Sequence, residues 1–379
     1  MINVLHWLVF ALGIVLVLGN WLSVIRTLVA PRGFYSRVFS FFTGTWRNAF
    51  LFLARRLPDY RAKDRLLSLQ EPTLVLALLA IWLIIFLTGF AFIIWPLSHV
   101  TIARAFEIAG SSEFTLGFAT PTGPAPMAVV FMTAATGVVV IALQVGFLPT
   151  LYNGYNRRET LLTLLESRAG SPAWGPEILS RHANVGLMEN LAEFYEQWEK
   201  WSADVGESHT TYPSLLYFRS PKPLASWIVG LLAVLDSAAL LLSFSPDLSP
   251  IQARLCLRMG FTAMRDIAQV LRFQFDEDPL PTDDILLTYE DFVKGVERMR
   301  QGGFPMERSP EEAWPHFKGW RVNYEPIAYF LCNHVAAPVA PWSGDRKSLK
   351  ESAIIPVRVI NRRPDDPEGK SIIPIRDLH

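Results

Sequence analysis

Cysteine is scarce in this 379-residue chain: Cys256 and Cys332 are the only two, and neither lies near a partner cysteine or a histidine at metal-ligand spacing. That argues against a disulfide framework and against a zinc site, and no other metal site is read from the sequence. Net charge is missing as well, with 35 basic residues against 35 acidic ones, so no global field draws the chain to nucleic acid. The seven histidines are dispersed. There is no Gly-x-Gly-x-x-Gly run, which leaves a dinucleotide-binding domain without support. Neither a phosphate loop nor a Ser/His/Asp signature appears, and the reading is of a protein that is not an enzyme, with no catalytic residues and no cofactor. Internal repeats are absent too.

What is present is apolar. Hydrophobic residues make up 51% of the chain and mean hydropathy is +0.25. They concentrate in the first 155 residues. Val4 to Ile25 is almost wholly apolar and ends at Arg26, long enough to cross a hydrocarbon core as a helix. A cleaved signal peptide is the rival reading, but the segment has no basic leader and no clear small-residue cleavage site. A second span runs from Pro72 to Trp95 without a charged residue, and a third from about Pro126 to Leu151, closing at Arg157 and Arg158.

Between the first two spans, Phe34 to Leu57 interleaves Phe39, Phe41, Phe42, Trp46, Phe50 and Phe52 with Arg37, Arg47, Arg55 and Arg56. Aromatic bulk beside arginine suits a helix in the membrane interface, and a helix packed on a soluble domain is the alternative. Nine basic residues lie between Arg26 and Arg65, whereas the 96–125 loop has Arg104 alone. The positive-inside rule therefore expects a multi-pass protein of the cell membrane, with the N-terminus outside and the C-terminus cytoplasmic.

Leu224 to Phe244 is also long and apolar, with Asp236 as its one charge, and Arg254, Arg258, Arg265 and Arg272 follow it. A mid-bilayer aspartate costs a few kcal/mol and the arginines favour the near side, so the segment reads as the buried helix of a soluble domain. Helix starts are expected at Ser249-Pro250-Ile251-Gln252, at Thr288 with Asp291, and at Ser309-Pro310-Glu311-Glu312, the second helix stopping at Gly302-Gly303. Trp174, Trp198, Trp201, Trp314 and Trp320 read as core anchors. Asp276, Glu277, Asp278, Asp283 and Asp284 sit among prolines and read as a solvated acidic loop, with a calcium site as the rival. The expected division is a first helix at 1–29, a basic cytoplasmic or interfacial segment at 30–71, a membrane module at 72–156, a helical cytoplasmic domain at 157–345 and a flexible tail at 346–379, with Ile354 to Ile360 the one strand-like stretch.

The informative loop is Ala103 to Pro121. A short helix over Thr101 to Gly110 leads through Ser111-Ser112-Glu113-Phe114 to Thr115-Leu116-Gly117-Phe118-Ala119-Thr120. This resembles the filter of potassium channels, which reads Thr-x-Gly-Tyr/Phe-Gly after a pore helix and between an outer and an inner span. The resemblance covers about residues 72 to 155 and is closest to the two-span, one-pore-loop type of bacteria and of two-pore-domain channels. It implies an all-α membrane protein with three transmembrane helices and a re-entrant pore loop, followed by the cytoplasmic domain. It further implies a homotetramer in the lipid bilayer, a cation path, potassium-permeable, and ion ligands from Thr115, Leu116, Gly117, Phe118 and Ala119. A permeating ion exchanges its water shell for stacked backbone oxygens, which requires alternating backbone conformations that glycine adopts at low cost.

Two positions depart from the family pattern: Ala119 stands at the second filter glycine and Thr120 at the usual aspartate. An alanine held left-handed costs on the order of 1 kcal/mol per subunit. Gly137 and Gly146 are the expected gating hinges or, equally, close-packing positions, with Pro149 a further kink candidate. Gln144 is a candidate for the cavity wall. A non-conducting receptor or scaffold with a degenerate pore fold is the second reading, an uptake-system subunit a distant third, and any ligand of the cytoplasmic domain is unspecified.

Overall fold

The computed structural model describes residues 2–29 and 37–349. The strand-like stretch Ile354 to Ile360 and the tail beyond residue 349 lie outside the described residues, as does the segment 30–36. Among the described residues the regular structure is helical, with thirteen α-helices. The chain divides into two compact units, Met1–Ala49 with Leu69–Asn153, and Phe50–Ser68 with Gly154–His379.

The first unit holds α1 (Ile2–Leu28), most of α2 (Arg37–Ala54), α4 (Gln70–Ser98), α5 (Ile102–Glu113) and the first part of α6 (Pro124–Ala169). The order of contacts makes α1 and α4 antiparallel: His6 meets Trp95, Gly13 meets Gly89, and Asn20 meets Trp82. Small residues set that approach, since a Cβ added at Gly13 would lie 2.6 Å from the Gly89 carbonyl oxygen. Such close contact is how helices associate where lipid removes the hydrophobic driving force. Asn20 Nδ2 donates to the Trp82 carbonyl at 2.9 Å, placing a polar pair inside the contact. Leu74, Leu78, Phe86, Phe90 and Ile94 continue the core, joined by Ile108, Ala109, Val129 and Val140.

The second unit holds α3 (Tyr60–Leu67), α7 (Gly175–Asn184), α8 (Leu191–Thr211), α9 (Trp227–Phe244), α10 (Ile251–Val270), α11 (Tyr289–Gln301), α12 (Pro310–Arg321) and α13 (Glu325–His334). Among the described residues four runs are long and apolar enough to cross a membrane, and α9 differs from the others. Its apolar window is 94% buried by its own unit, against 22% for Val4–Leu28, 44% for Tyr60–Ser98 and 33% for Pro124–Ala169. Asp236 of α9 accepts from Arg321 and, at 2.8 Å, from the Tyr324 hydroxyl. Arg321 also pairs with Glu325 at 2.8 Å and donates to the Trp342 carbonyl at 2.6 Å. A carboxylate enclosed among apolar side chains is tolerable only when paired in this way. Trp174, Trp198 and Trp201 are buried around α9, with Trp314 and Trp320 half-buried against the same core.

Two of the three expected helix starts carry the expected caps. Ser309 and Glu312 form the reciprocal capping box at 3.3 and 2.8 Å, and Thr288 accepts from the Asp291 amide at 3.2 Å while Gly302 closes α11. The Ser249 expectation needs correction. Pro250 is the N-cap of α10 and makes no side-chain cap. The Ser249 hydroxyl turns back to the Leu241 and Ser245 carbonyls at 3.1 and 2.7 Å, adding a side-chain donor to carbonyls at the end of α9 that already accept the Ser245 and Leu248 amides. Arg346 and Leu349, assigned by sequence to the tail, are buried, and Arg346 donates to the Ala337 and Pro338 carbonyls at 2.8 and 2.9 Å.

Residues of α2 serve both units. Phe42 and Trp46 pack against the core of the first. Leu51 and Ala54 join Tyr60 and Leu67 of α3 in a small cluster with Ala336 and Leu349 in the second. Arg219 fastens α3 there, reaching the Asp64 carboxylate, the Tyr60 hydroxyl and, at 3.0 Å, the Val335 carbonyl.

Candidate functional site

The loop that carries the filter-like residues is built on the end of α5. Thr101 starts that helix by accepting from the Arg104 amide at 3.3 Å. Ala105, Ile108, Ala109 and Ser112, spaced three and four apart, form its buried face. Leu87 of α4 stands 3.5 Å from where a Gly110 side chain would begin, and Phe92 meets Phe106 edge-on, so α4 and α5 run antiparallel.

The helix ends in a Schellman turn. Phe114 is the C-cap, the Thr115 amide donates to the Ser112 carbonyl at 3.0 Å, and the Leu116 amide to the Ser111 carbonyl at 2.7 Å. The position that turns left-handed is Thr115, with φ +55°. Glycine is usual there, and a β-branched residue at positive φ is an outlier. The Gly117 amide shares the Ser111 carbonyl at 3.2 Å, with φ +73°. Phe114 has φ −91°, and neither Leu116 nor Phe118 has positive φ. The sign of φ therefore alternates from Phe114 to Phe118.

Ala119 behaves otherwise than the sequence implies. Its φ is not positive, so the left-handed penalty expected at the second glycine position falls on Thr115 instead. The Ala119 amide donates to the Ser111 hydroxyl oxygen at 3.0 Å, and its methyl is 2% exposed in the apolar core. By contrast Phe114, Thr115, Leu116, Gly117 and Phe118 are exposed on the single chain, and Phe118 does not wedge into its own core.

The two glycines of α6 differ in surroundings. A Cβ at Gly137 would fall 2.2 Å from the Glu113 carbonyl oxygen, whereas one at Gly146 would meet nothing within 4 Å. Gly137 is thus a point of contact between α6 and the end of α5. Pro149 lies inside α6, which continues through it. Gln144 does not line an open cavity: it is buried and donates to the Val75 carbonyl of α4 at 3.2 Å.

Two residues of the site were not singled out from sequence. Ser111 gathers three amides of the loop. Glu113 is 1% exposed, and both of its carboxylate oxygens lack a hydrogen-bond partner among the described residues. An acidic residue in a segment expected to enter the membrane was the signal for Glu113. Nothing local marks Ser111. In the acidic loop of the second unit, Asp276 and Asp283 accept from the backbone amides of Asp278 and Leu280 at 3.0 and 2.8 Å, and Asp284 pairs with Lys318 at 3.0 Å. Among the described residues no three His, Cys, Asp or Glu side chains converge as metal ligands. Compared with known proteins, the chain matches no family model, no curated protein and no solved structure.

Proposed function

We propose that this protein is a cation channel, potassium-permeable, in which the loop Thr115–Ala119 of four identical chains surrounds the ion path. The observation that carries the reading is the alternating φ from Phe114 to Phe118, in an exposed loop that follows a short helix and stands between two apolar helices. Alternation is what lets successive backbone carbonyls face one ion, and irregular backbone at membrane depth is tolerable where it lines a water-filled path. In this reading α1, α4 and the apolar part of α6 are the spans, the N-terminus is outside, and the second unit, with α9 at its centre, is cytoplasmic. The burial of α9 and the Asp236–Arg321 pair support leaving it out of the bilayer.

Purified protein in planar bilayers under a potassium/sodium gradient tests the proposal: the expected result is a current reversing near the potassium potential. No current from an intact tetramer would favour the second reading, a non-conducting receptor or scaffold. One observation favours that alternative: Leu116 and Gly117 fold back as a helix cap on Ser111 rather than extending as a strand.

A further inference from the structure

We propose that Ser111 aims the carbonyls of the loop, and that its hydroxyl does at Ala119 what a second glycine does in the filter pattern that the sequence resembles; this rests on the channel reading. Three amides end on this one buried residue, Leu116 and Gly117 on its carbonyl at 2.7 and 3.2 Å and Ala119 on its hydroxyl oxygen at 3.0 Å. The one cis peptide among the described residues is elsewhere, at Ser171-Pro172. In a planar trans peptide the carbonyl opposes the amide of the next residue. The carbonyls of Thr115, Leu116 and Phe118 are therefore turned away from Ser111, towards the exposed side of the loop.

The first two are held by main chain and follow from the helix cap. The third is held by a side chain. With Ala119 outside the left-handed region, the peptide between Phe118 and Ala119 has no glycine to set its plane, and the Ser111 hydroxyl supplies the constraint instead. The Phe118 carbonyl is thus the ion ligand under side-chain control, and it is the one that a substitution at residue 111 releases.

The test uses full-length tetramer in lipid nanodiscs and planar bilayers, comparing wild type with Ser111→Ala and Ser111→Thr. Losing one buried hydrogen bond corresponds to about a tenfold change in the population of the released loop. Ser111→Ala is expected to speed amide exchange in a peptide spanning 116–122 by about that factor and to lower the potassium-to-sodium permeability ratio, while Ser111→Thr, which keeps the hydroxyl, retains both values. If Ser111→Ala does not assemble, Ser111→Cys takes its place, since a thiol is a poor acceptor of similar size. Unchanged exchange overturns the proposal, as does faster exchange with an unaltered permeability ratio. A wild-type protein that carries no current overturns the channel reading itself, and with it the aiming role, even where the exchange arm shows that Ser111 holds the loop.

Discussion

At the scale of single residues, strain and constraint in the loop are separated. Thr115 carries the left-handed backbone, at about 1–2 kcal/mol for a residue with a Cβ. Ala119 carries none and is instead packed. Thr115→Gly should therefore raise the midpoint of thermal unfolding, while in the channel reading it removes the side-chain hydroxyl of one of the proposed ion-ligand residues and should reduce potassium current. Ala119→Gly should not improve selectivity, because there is no left-handed clash to relieve; bi-ionic reversal potentials that sharpen with this variant would restore the opposite view. A third residue answers to pH. His209 of the second unit is fully enclosed, with Arg158 Nη1 on its Nε2 at 3.1 Å and the Ser208 hydroxyl on its Nδ1 at 3.0 Å. Arginine can only donate, so Nε2 accepts and the ring is neutral. Burial, and after it the Arg158 charge, holds its pKa well below the ordinary value. The unfolded chain therefore takes up the proton first, and stability is lost as pH falls below about 6.5 towards the folded-state pKa. Melting curves from pH 8 to pH 5 should show this slope, and His209→Gln, which keeps an acceptor and a donor, should lower the melting temperature but flatten its pH dependence.

At the scale of elements, α5 and α6 meet through a glycine and α9 is held by an ion pair. Gly137→Ala would force a methyl into the Glu113 carbonyl, an overpacking of about 1–3 kcal/mol, and should weaken assembly and current together. Gly146→Ala meets open space on the single chain and should be tolerated by folding. The opposite ranking in a size-exclusion and flux comparison would make Gly146, rather than Gly137, the glycine that the protein depends on. For α9, Asp236→Asn should destabilise the second unit by about 1–3 kcal/mol, because the buried Arg321 loses one of its two carboxylate partners and keeps Glu325, the Tyr329 hydroxyl and the Trp342 carbonyl. A membrane-crossing α9 predicts the reverse, with Asp236→Leu improving expression and stability. Much at this scale is legible in sequence, since apolar length and caps such as Ser309 or Thr288 are local signals. Ser249 misleads because the helix before it and the helix after it both have a use for its hydroxyl. The partner of Asp236 lies 85 residues away, and no spacing rule reaches that far. In the site, the Thr115-to-Phe118 order points to the loop, but its handedness depends on how α5 is capped, which only the path of the backbone reveals.

At the scale of the molecule, the channel reading requires four chains. Cross-linking of the membrane-embedded protein should run to tetramers, and a ladder stopping at dimers would count against a single-loop pore. An added cysteine at Asn3 should react with an impermeant thiol reagent on intact cells, and one placed near His379 should not. The second unit is discontinuous in sequence, which makes a sharper test. Residues 154–349 alone lack Leu51, Ala54, Tyr60 and Leu67, the apolar partners of Ala336 and Leu349. That fragment should be helical in solution, and a synthetic peptide of residues 50–68 should raise its melting temperature; a peptide without effect would mean that the α3 cluster adds nothing to the unit.

The same discontinuity bears on how the protein is made. A ribosome releases Tyr60 and Asp64 long before it reaches Arg219, and longer still before Ala336 and Leu349. Domains form as their parts emerge, and pairing distant stretches of chain is slow. During that interval the short helix must wait for its partners while the two long apolar stretches that follow it are made. A chain broken off before residue 335 leaves Tyr60 and Leu67 without their seat for good. Such an incomplete product would bear an uncovered apolar and charged hook near its beginning, a mark by which quality-control proteases can tell it from the finished protein.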